Sequence, residues 1–185
     1  MNTDDRRVRK TKKALRKGLG ELMLEKELRH ITVRELADRA DVHRATFYTH
    51  YTDVDDLYEQ MEEAAIEELG AIVVCDPVHA YDGIFDLIVN YVYDNAEMYR
   101  LFLDRSLNRN FCDKISALLE QKYSEIYLFE NKKDDLTEEW RYLISYHIQG
   151  CISILTRWAK GNFAHPKDEI IRLVKIVDTS FDGLQ

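Results

Sequence analysis

Half of the 26 Lys and Arg side chains in this 185-residue chain fall within its first fifty residues. There 13 Lys and Arg stand against 8 Asp and Glu, a local charge of +5, whereas the rest of the chain carries −13. Arg6, Arg7, Arg9, Lys10, Lys12, Lys13, Arg16 and Lys17 are crowded closest together. Such a cluster can pair with the phosphates of a polyanion, and the acidic remainder would be repelled by them. A second group, His43-Arg44-Ala45-Thr46-Phe47-Tyr48-Thr49-His50, mixes donors of a different kind. A guanidinium such as that of Arg44 can bond two acceptors of a planar partner at once.

Side chains read a duplex only from an element that fits its groove, and the sequence around Arg44 predicts one. Val8, Thr11, Leu15, Leu19, Leu22 and Met23 follow helical spacing, predicting a first helix over Asp4–Lys26. Thr32-Val33-Arg34-Glu35 is a capping box, flanked by Ile31 and Leu36 as a hydrophobic staple, and it starts a short helix ending near Ala40. A third helix spans His43–Thr49, and Asp53 caps a fourth whose stripe of Val54, Leu57, Tyr58, Met61, Ala65 and Leu69 suits a connector. Two short helices joined by a tight turn, with small Ala37 and Ala40 at the crossing, are the pattern of a helix-turn-helix. Its second helix would enter the major groove.

The sequence here resembles a known family. Ile31 to Ala37, then Val42-His43-Arg44-Ala45-Thr46-Phe47-Tyr48-Thr49-His50-Tyr51 and Asp53 to Leu57, are similar to the DNA-binding domain of TetR/AcrR-type repressors, over roughly residues 8–60. The resemblance implies base-edge contact by Arg34, Arg44, Ala45 and Thr49, and phosphate or backbone contact by Thr46, Tyr48 and His50. Thr32, His43, Lys12 and Lys13 complete the candidate DNA contacts, and Phe47 belongs to the core. The chain departs from the family at His43, where relatives carry the Ser or Thr that caps the recognition helix. It departs again at Val54, where they commonly carry a phosphate-binding Lys.

The fold class expected is all-α: a helix-turn-helix domain at 1–52, a connector helix at 53–73, and a helical regulatory and dimerisation domain at 76–185. Asp76-Pro77 is the first strong break, in a linker near 74–80. Body helices are predicted over Tyr81–Asn95, Ala96–Leu103, Arg109–Phe129, Thr137–Lys160 and Pro166–Phe181. The stretch from Tyr142 to Trp158 resembles the body of the subgroup containing dihydroxyacetone-kinase regulators. Family resemblance implies that the last two helices pair with a second subunit, with Ile148, Ile152, Leu155, Ile171 and Val174 as candidate dimer contacts. Tyr91, Phe102, Tyr123, Tyr146 and His147, from an aromatic set that includes Tyr99, Phe111 and Tyr142, are candidates to line a ligand pocket. Aromatic residues at helical spacing are more often plain core.

Other chemistries find no support. No Gly-rich phosphate loop, nucleophile elbow or H-E-x-x-H motif is present, so an enzyme is not expected. Asp55-Asp56 and Glu62-Glu63 suit caps and helix faces better than acid–base work. Cys75, Cys112 and Cys151 lack metal or disulfide spacing, and His147 lacks companion ligands, so no metal or cofactor is expected. No apolar run reaches membrane length and the N-terminus is charged, which reads as a cytoplasmic protein. The partners expected are double-stranded DNA, a second copy of the chain, and either a small-molecule effector or a protein partner. The function expected is a ligand-responsive repressor on a palindromic operator. A transcriptional activator, or a helical adaptor signalling through protein contact, is the alternative.

Overall fold

Residues 3–74, 84–103 and 109–182 are described by a computed structural model. Every regular element among them is helical. The chain divides into two units, Met1–Ala65 and Ile66–Gln185.

In the first unit α1 (Thr3–Met23), a 3₁₀ turn (Leu28–His30), α2 (Val33–Arg39), α3 (Arg44–Tyr48) and the first part of α4 (Val54–Val74) follow in order. Leu15, Leu19 and Leu22 of α1 are buried with Leu36 and Ala37 of α2, Phe47 of α3 and Leu57 and Met61 of α4. α1 packs on α2 and α2 on α3. Gly18 lies where a Cβ would meet Leu36, Arg39 and Ala40 at 3.4 Å each, so the crossing of α1 and α2 is close on both sides. The division falls inside α4, whose Val54, Leu57, Tyr58 and Met61 are buried.

The caps explain where these helices begin. Thr32 Oγ1 accepts from the Glu35 amide at 3.3 Å while Glu35 accepts from the Thr32 amide at 3.0 Å, completing the capping box. Both staple residues, Ile31 and Leu36, are buried. At α4, Asp53 accepts from the Asp56 amide at 2.8 Å, and Asp56 accepts from the Thr52 amide at 2.7 Å. That return bond holds the Asp56 carboxyl below its ordinary value.

The second unit holds the rest of α4, then α5 (Ile84–Asp94), α6 (Ala96–Phe102), α7 (Arg109–Glu130), α8 (Glu138–Lys160) and α9 (Lys167–Asp182). α8 packs on α6, α7 and α9, and α9 also on α5. Thr137 caps α8 by accepting from the Trp140 amide. Gly161 caps its other end in ordinary backbone geometry, and the left-handed positions are Asn162 and Phe163, at φ 54° and 55°. An aromatic side chain rarely adopts that backbone. The Phe163 ring lies T-shaped to Trp158 with centroids 4.9 Å apart, and its amide donates to the Trp158 carbonyl at 3.0 Å. Pro166 precedes α9, its carbonyl accepting from the Ile170 amide. Cys112 and Cys151 are buried, whereas Cys75 and the expected linker break at Asp76-Pro77 lie outside the described residues.

Candidate nucleic-acid interface

The five-residue helix α3 rests on one buried side chain, Phe47, which is 0% exposed and packs edge-on to Tyr48 and against Tyr51. With Phe47 turned inward, Arg44, Ala45, Tyr48 and Thr49 face solvent and Thr46 is half-buried. Tyr48 keeps 52% of its surface exposed, so it is available for contact rather than packed away. Thr49 Oγ1 donates to the Thr46 carbonyl at 2.7 Å, which orients its hydroxyl along the helix end. His50 is half-buried with its ring beside Tyr51.

The turn before α3 has Asp41 at φ 53°, followed by a bond from the Val42 amide to the Ala37 carbonyl at 2.9 Å. An Asp tolerates this left-handed geometry better than most residues, though less well than Gly. His43 occupies the N-cap of α3 in extended conformation and makes no side-chain cap bond, as its departure from the Ser or Thr pattern implied. Its side chain is exposed. Val54 is buried, so the second departure replaces a surface cation with a piece of core.

Charge is sorted across the head. Lys26 donates to Glu35 at 2.6 Å, Arg39 reaches Glu25 at 2.9 Å and Glu21 at 3.6 Å, and Arg34 stands 4.0 Å from Asp38. The Lys26 bond, followed by those from Thr32, holds the Glu35 carboxyl at about 2. The Glu25 bond raises the Arg39 guanidinium above its ordinary value. The Lys26 and Arg39 pairs brace α2 against the end of α1 and the turn after it, whereas Arg34–Asp38 lies within α2. Among the described residues Arg6, Arg7, Arg9, Lys10, Lys13 and Arg44 form no ion pair, and Lys12 lies over the Tyr51 ring. The cations left for phosphate are thus those of the first turns of α1 together with Arg44. Thr32, by contrast, is engaged as a cap, though its side chain remains at the surface.

In the body the candidate ligand residues separate into two interior groups and one outlier. His147, 1% exposed, sits between Phe85 and Tyr123, with ring centroids at 5.7 and 5.1 Å. Tyr91 and Phe102 both meet Tyr99, and Phe102 stacks on Phe111 at 4.8 Å. The Tyr91 hydroxyl bonds the Glu68 carboxylate, and burial, then Glu68, pushes the Tyr99 phenol up. Tyr146 is 80% exposed and Tyr142 75%, so neither lines an interior pocket. The sequence reading overlooked Phe85, which no motif marks. It also overlooked a polar seam between α7 and α8, where Ser145 donates to Glu120 and Gln149 to Ser116, each at 2.9 Å.

The candidate dimer contacts also need correction. Ile148, Ile152 and Val174 are 1% exposed and Leu155 is 7% exposed, all filling the chain's own core; Ile171 is half-buried. Among the described residues, the large apolar groups left outside on α8 and α9 are Tyr142, Tyr146, Leu173 and Ile176. Both helices carry apolar residues on two faces, and the packing of α8 on α6 and α7 claims the aliphatic one.

Comparison with known proteins agrees with this architecture. The TetR C-terminal family, described as "Transcriptional regulator C-terminal region", matches residues 80–178. Over 66 residues the chain is 33% identical to the uncharacterized HTH-type transcriptional regulator YxbF of Bacillus subtilis (strain 168). That stretch is 35% of this chain, and it spans only 17% of the relative's length. Among solved structures, the dihydroxyacetone kinase operon activator DhaS superposes with a TM-score of 0.66 at 18% identity, covering 93% of this chain and 96% of its own. A chain from Syntrophomonas wolfei str. Goettingen described as a TetR-family transcriptional regulator superposes with a TM-score of 0.68 at 14% identity, over 95% of each chain. At these identities the likeness is one of fold. With the family match covering more than half of its length, the chain belongs to the TetR family, whose members are transcriptional regulators that bind DNA and dimerise, not enzymes.

Proposed function

We propose that this protein is a ligand-responsive repressor that binds a palindromic operator as a homodimer through α3. The observation that carries the reading is the solvent-facing row of Arg44, Ala45, Tyr48 and Thr49 over a fully buried Phe47. A helix held from beneath by one aromatic, with its outer residues free, suits insertion into a major groove. One five-residue helix reads few base pairs, so two-fold pairing of heads and a palindromic site follow from the size of the reader. Tyr142, Tyr146, Leu173 and Ile176 are the surface offered to the second subunit. Gly150, on the same stripe of α8 as Tyr146, lies where a Cβ would meet Val177 of α9 at 3.7 Å, which joins the α8 and α9 faces.

Repression by exclusion of polymerase is the simplest consequence of a dimer seated on an operator. An activator is the second reading, favoured by the likeness in fold to a protein named as an operon activator. The interior groups around His147 and Tyr99 are where a small effector would act; a protein partner would act at the exposed aromatics. Selection of operators from random duplex DNA with the purified full-length protein, repeated over salt, tests the proposal. A selected inverted repeat supports it, and enrichment of no sequence at low salt refutes it. Transcription from a promoter carrying the selected site, with and without the protein, decides the sign.

A further inference from the structure

Most carboxylates between the end of α1 and the first turn of α4 are engaged. Glu21 and Glu25 meet Arg39, Glu27 meets Arg29, Glu35 meets Lys26, and Asp38 stands 4.0 Å from Arg34. Asp53 caps α4 by accepting from the Asp56 amide, and Asp56 accepts from Thr52 and Gln60. Asp41 and Asp55 are the exceptions: both are exposed, and among the described residues neither forms an ion pair. Asp41 lies in the turn that enters α3 and Asp55 in the first turn of α4, so the chain sets one unpaired carboxylate beyond each end of the candidate reading helix. Asp41 holds a left-handed backbone at φ 53°, which Asn or Gly takes at least as easily without the charge. Asp55 follows Val54, where the resemblance implies a cation; the valine is buried, and the exposed group beside it is an acid. An acid in a first turn suits the helix dipole, but Asp41 stands outside the first turn of α3.

We propose that Asp41 and Asp55 are specificity-determining residues of the head, a repulsive pair that penalises every seating of α3 except the one fixed by base contacts. The proposal rests on the helix-turn-helix reading above. Binding to random sequence is held by phosphates alone, so it tolerates many tilts and offsets of the reading helix. A helix that tilts or slides in the groove carries one end toward a backbone, and here each end brings an unpaired carboxylate with it. Coulomb repulsion rises as that distance closes and is screened beyond about 10 Å at ~0.1 M salt, so the penalty falls on close, off-register poses. Base contacts hold α3 in the pose that keeps both carboxylates clear. Discrimination is a difference of affinities, and repulsion against the wrong complex widens it as attraction to the right one does.

Fluorescence anisotropy on two labelled duplexes of equal length and composition tests this: the sequence that the parent selects from random DNA, and a scramble of it. The full-length protein is compared with the double variant Asp41→Asn, Asp55→Asn, in which asparagine keeps the left-handed turn. It is also compared with Asp41→Glu, Asp55→Glu and with Glu63→Gln, Glu67→Gln, which removes two exposed carboxylates farther along α4. At about 50 mM salt the asparagine variant is expected to bind the scramble about three- to tenfold tighter and the selected duplex no more than about twofold tighter, the difference closing as salt rises. The glutamate and glutamine variants keep the parent ratio. An asparagine variant that tightens on both duplexes by the same factor, or on neither, overturns the proposal while leaving α3 as the reader. A glutamate variant that melts as the parent does yet loses the ratio assigns the effect to shape, and overturns it too. A glutamine variant that matches the asparagine variant assigns the effect to net charge, with the same consequence. A parent that enriches no sequence at low salt overturns the helix-turn-helix reading itself.

Discussion

Lys26, just past the end of α1, donates to Oε1 of Glu35 at 2.6 Å, while the other oxygen of the same carboxylate takes the Thr32 amide and hydroxyl at 3.0 and 2.8 Å. One side chain therefore closes the capping box of α2 and ties that helix to α1. The reading helix α3 stands on α2, so its seat depends on this junction.

Acid should loosen the junction. Glu35 is held at about 2, below the ordinary 4.5, so its folded form is favoured above about 4.5 and that contribution is lost as the pH falls through 4.5 towards 2. Thermal melts of the head between those pH values should show a decline that Glu35→Gln flattens, the variant being less stable at neutral pH. Parallel curves for the two proteins would show that the junction carries no such linkage. Thr32→Ala, which removes the other half of the box, should cost about 1 kcal/mol in the same melt.

Arg44→Ala should leave the fold intact, because the side chain is exposed and free of ion pairs. Binding to the selected operator should weaken by about 1–3 kcal/mol, with the loss confined to one base pair per half-site, while binding to mixed duplex changes little. Competition binding with single-base operator variants reads this directly. A uniform loss on every sequence would recast Arg44 as a phosphate contact.

Asp41 holds a left-handed backbone in the turn that aims α3. Replacement by Gly removes the steric cost of the Cβ, and it should raise the stability of the head by about 0.5–1 kcal/mol. It also removes a carboxylate next to the reading helix, so duplex binding should tighten most at low salt. Asp41→Val should do the opposite in the melt, since a β-branched residue fits this conformation poorly. Equal melting of the Gly and Val variants would mean that the turn relaxes without strain.

The two faces of α8 should respond differently to substitution. Tyr142→Asp with Tyr146→Asp changes side chains that are 75% and 80% exposed, and it should give a folded monomer by analytical ultracentrifugation. Ile152→Ala removes a side chain that is 1% exposed and should cost about 2–5 kcal/mol of body stability with no specific effect on assembly. A Tyr variant that assembles as the parent does would move the self-contact to another surface.

The reading head was legible because its determinants are local. Thr32 and Glu35 find each other three residues apart, Asp53 caps its own helix, and the spacing of Leu15, Leu19, Leu36 and Phe47 declares one inward side. The missing cap at His43 was equally plain. Pairings between distant positions were not: Lys26 meets Glu35 and Arg39 meets Glu25 only because α1 and α2 cross. For that reason the cations of the head could be counted from the sequence but not sorted into braces and contacts.

The body shows the same boundary more sharply. The expected span Thr137–Lys160 placed α8 within a residue of its observed ends. Family resemblance pointed to a partner for the last two helices, but periodicity describes a helix against an undefined surrounding and could not say whether Ile148, Ile152, Leu155 and Val174 face that partner or whether Tyr146 faces a pocket. Burial is a property of what stands opposite. Once α6 and α7 cover one face of α8 and α9 lies along its flank, the aliphatic stripe is inside and the tyrosines are outside. Four residues suffice to cap a helix, whereas choosing its inner face takes neighbours brought from far along the chain.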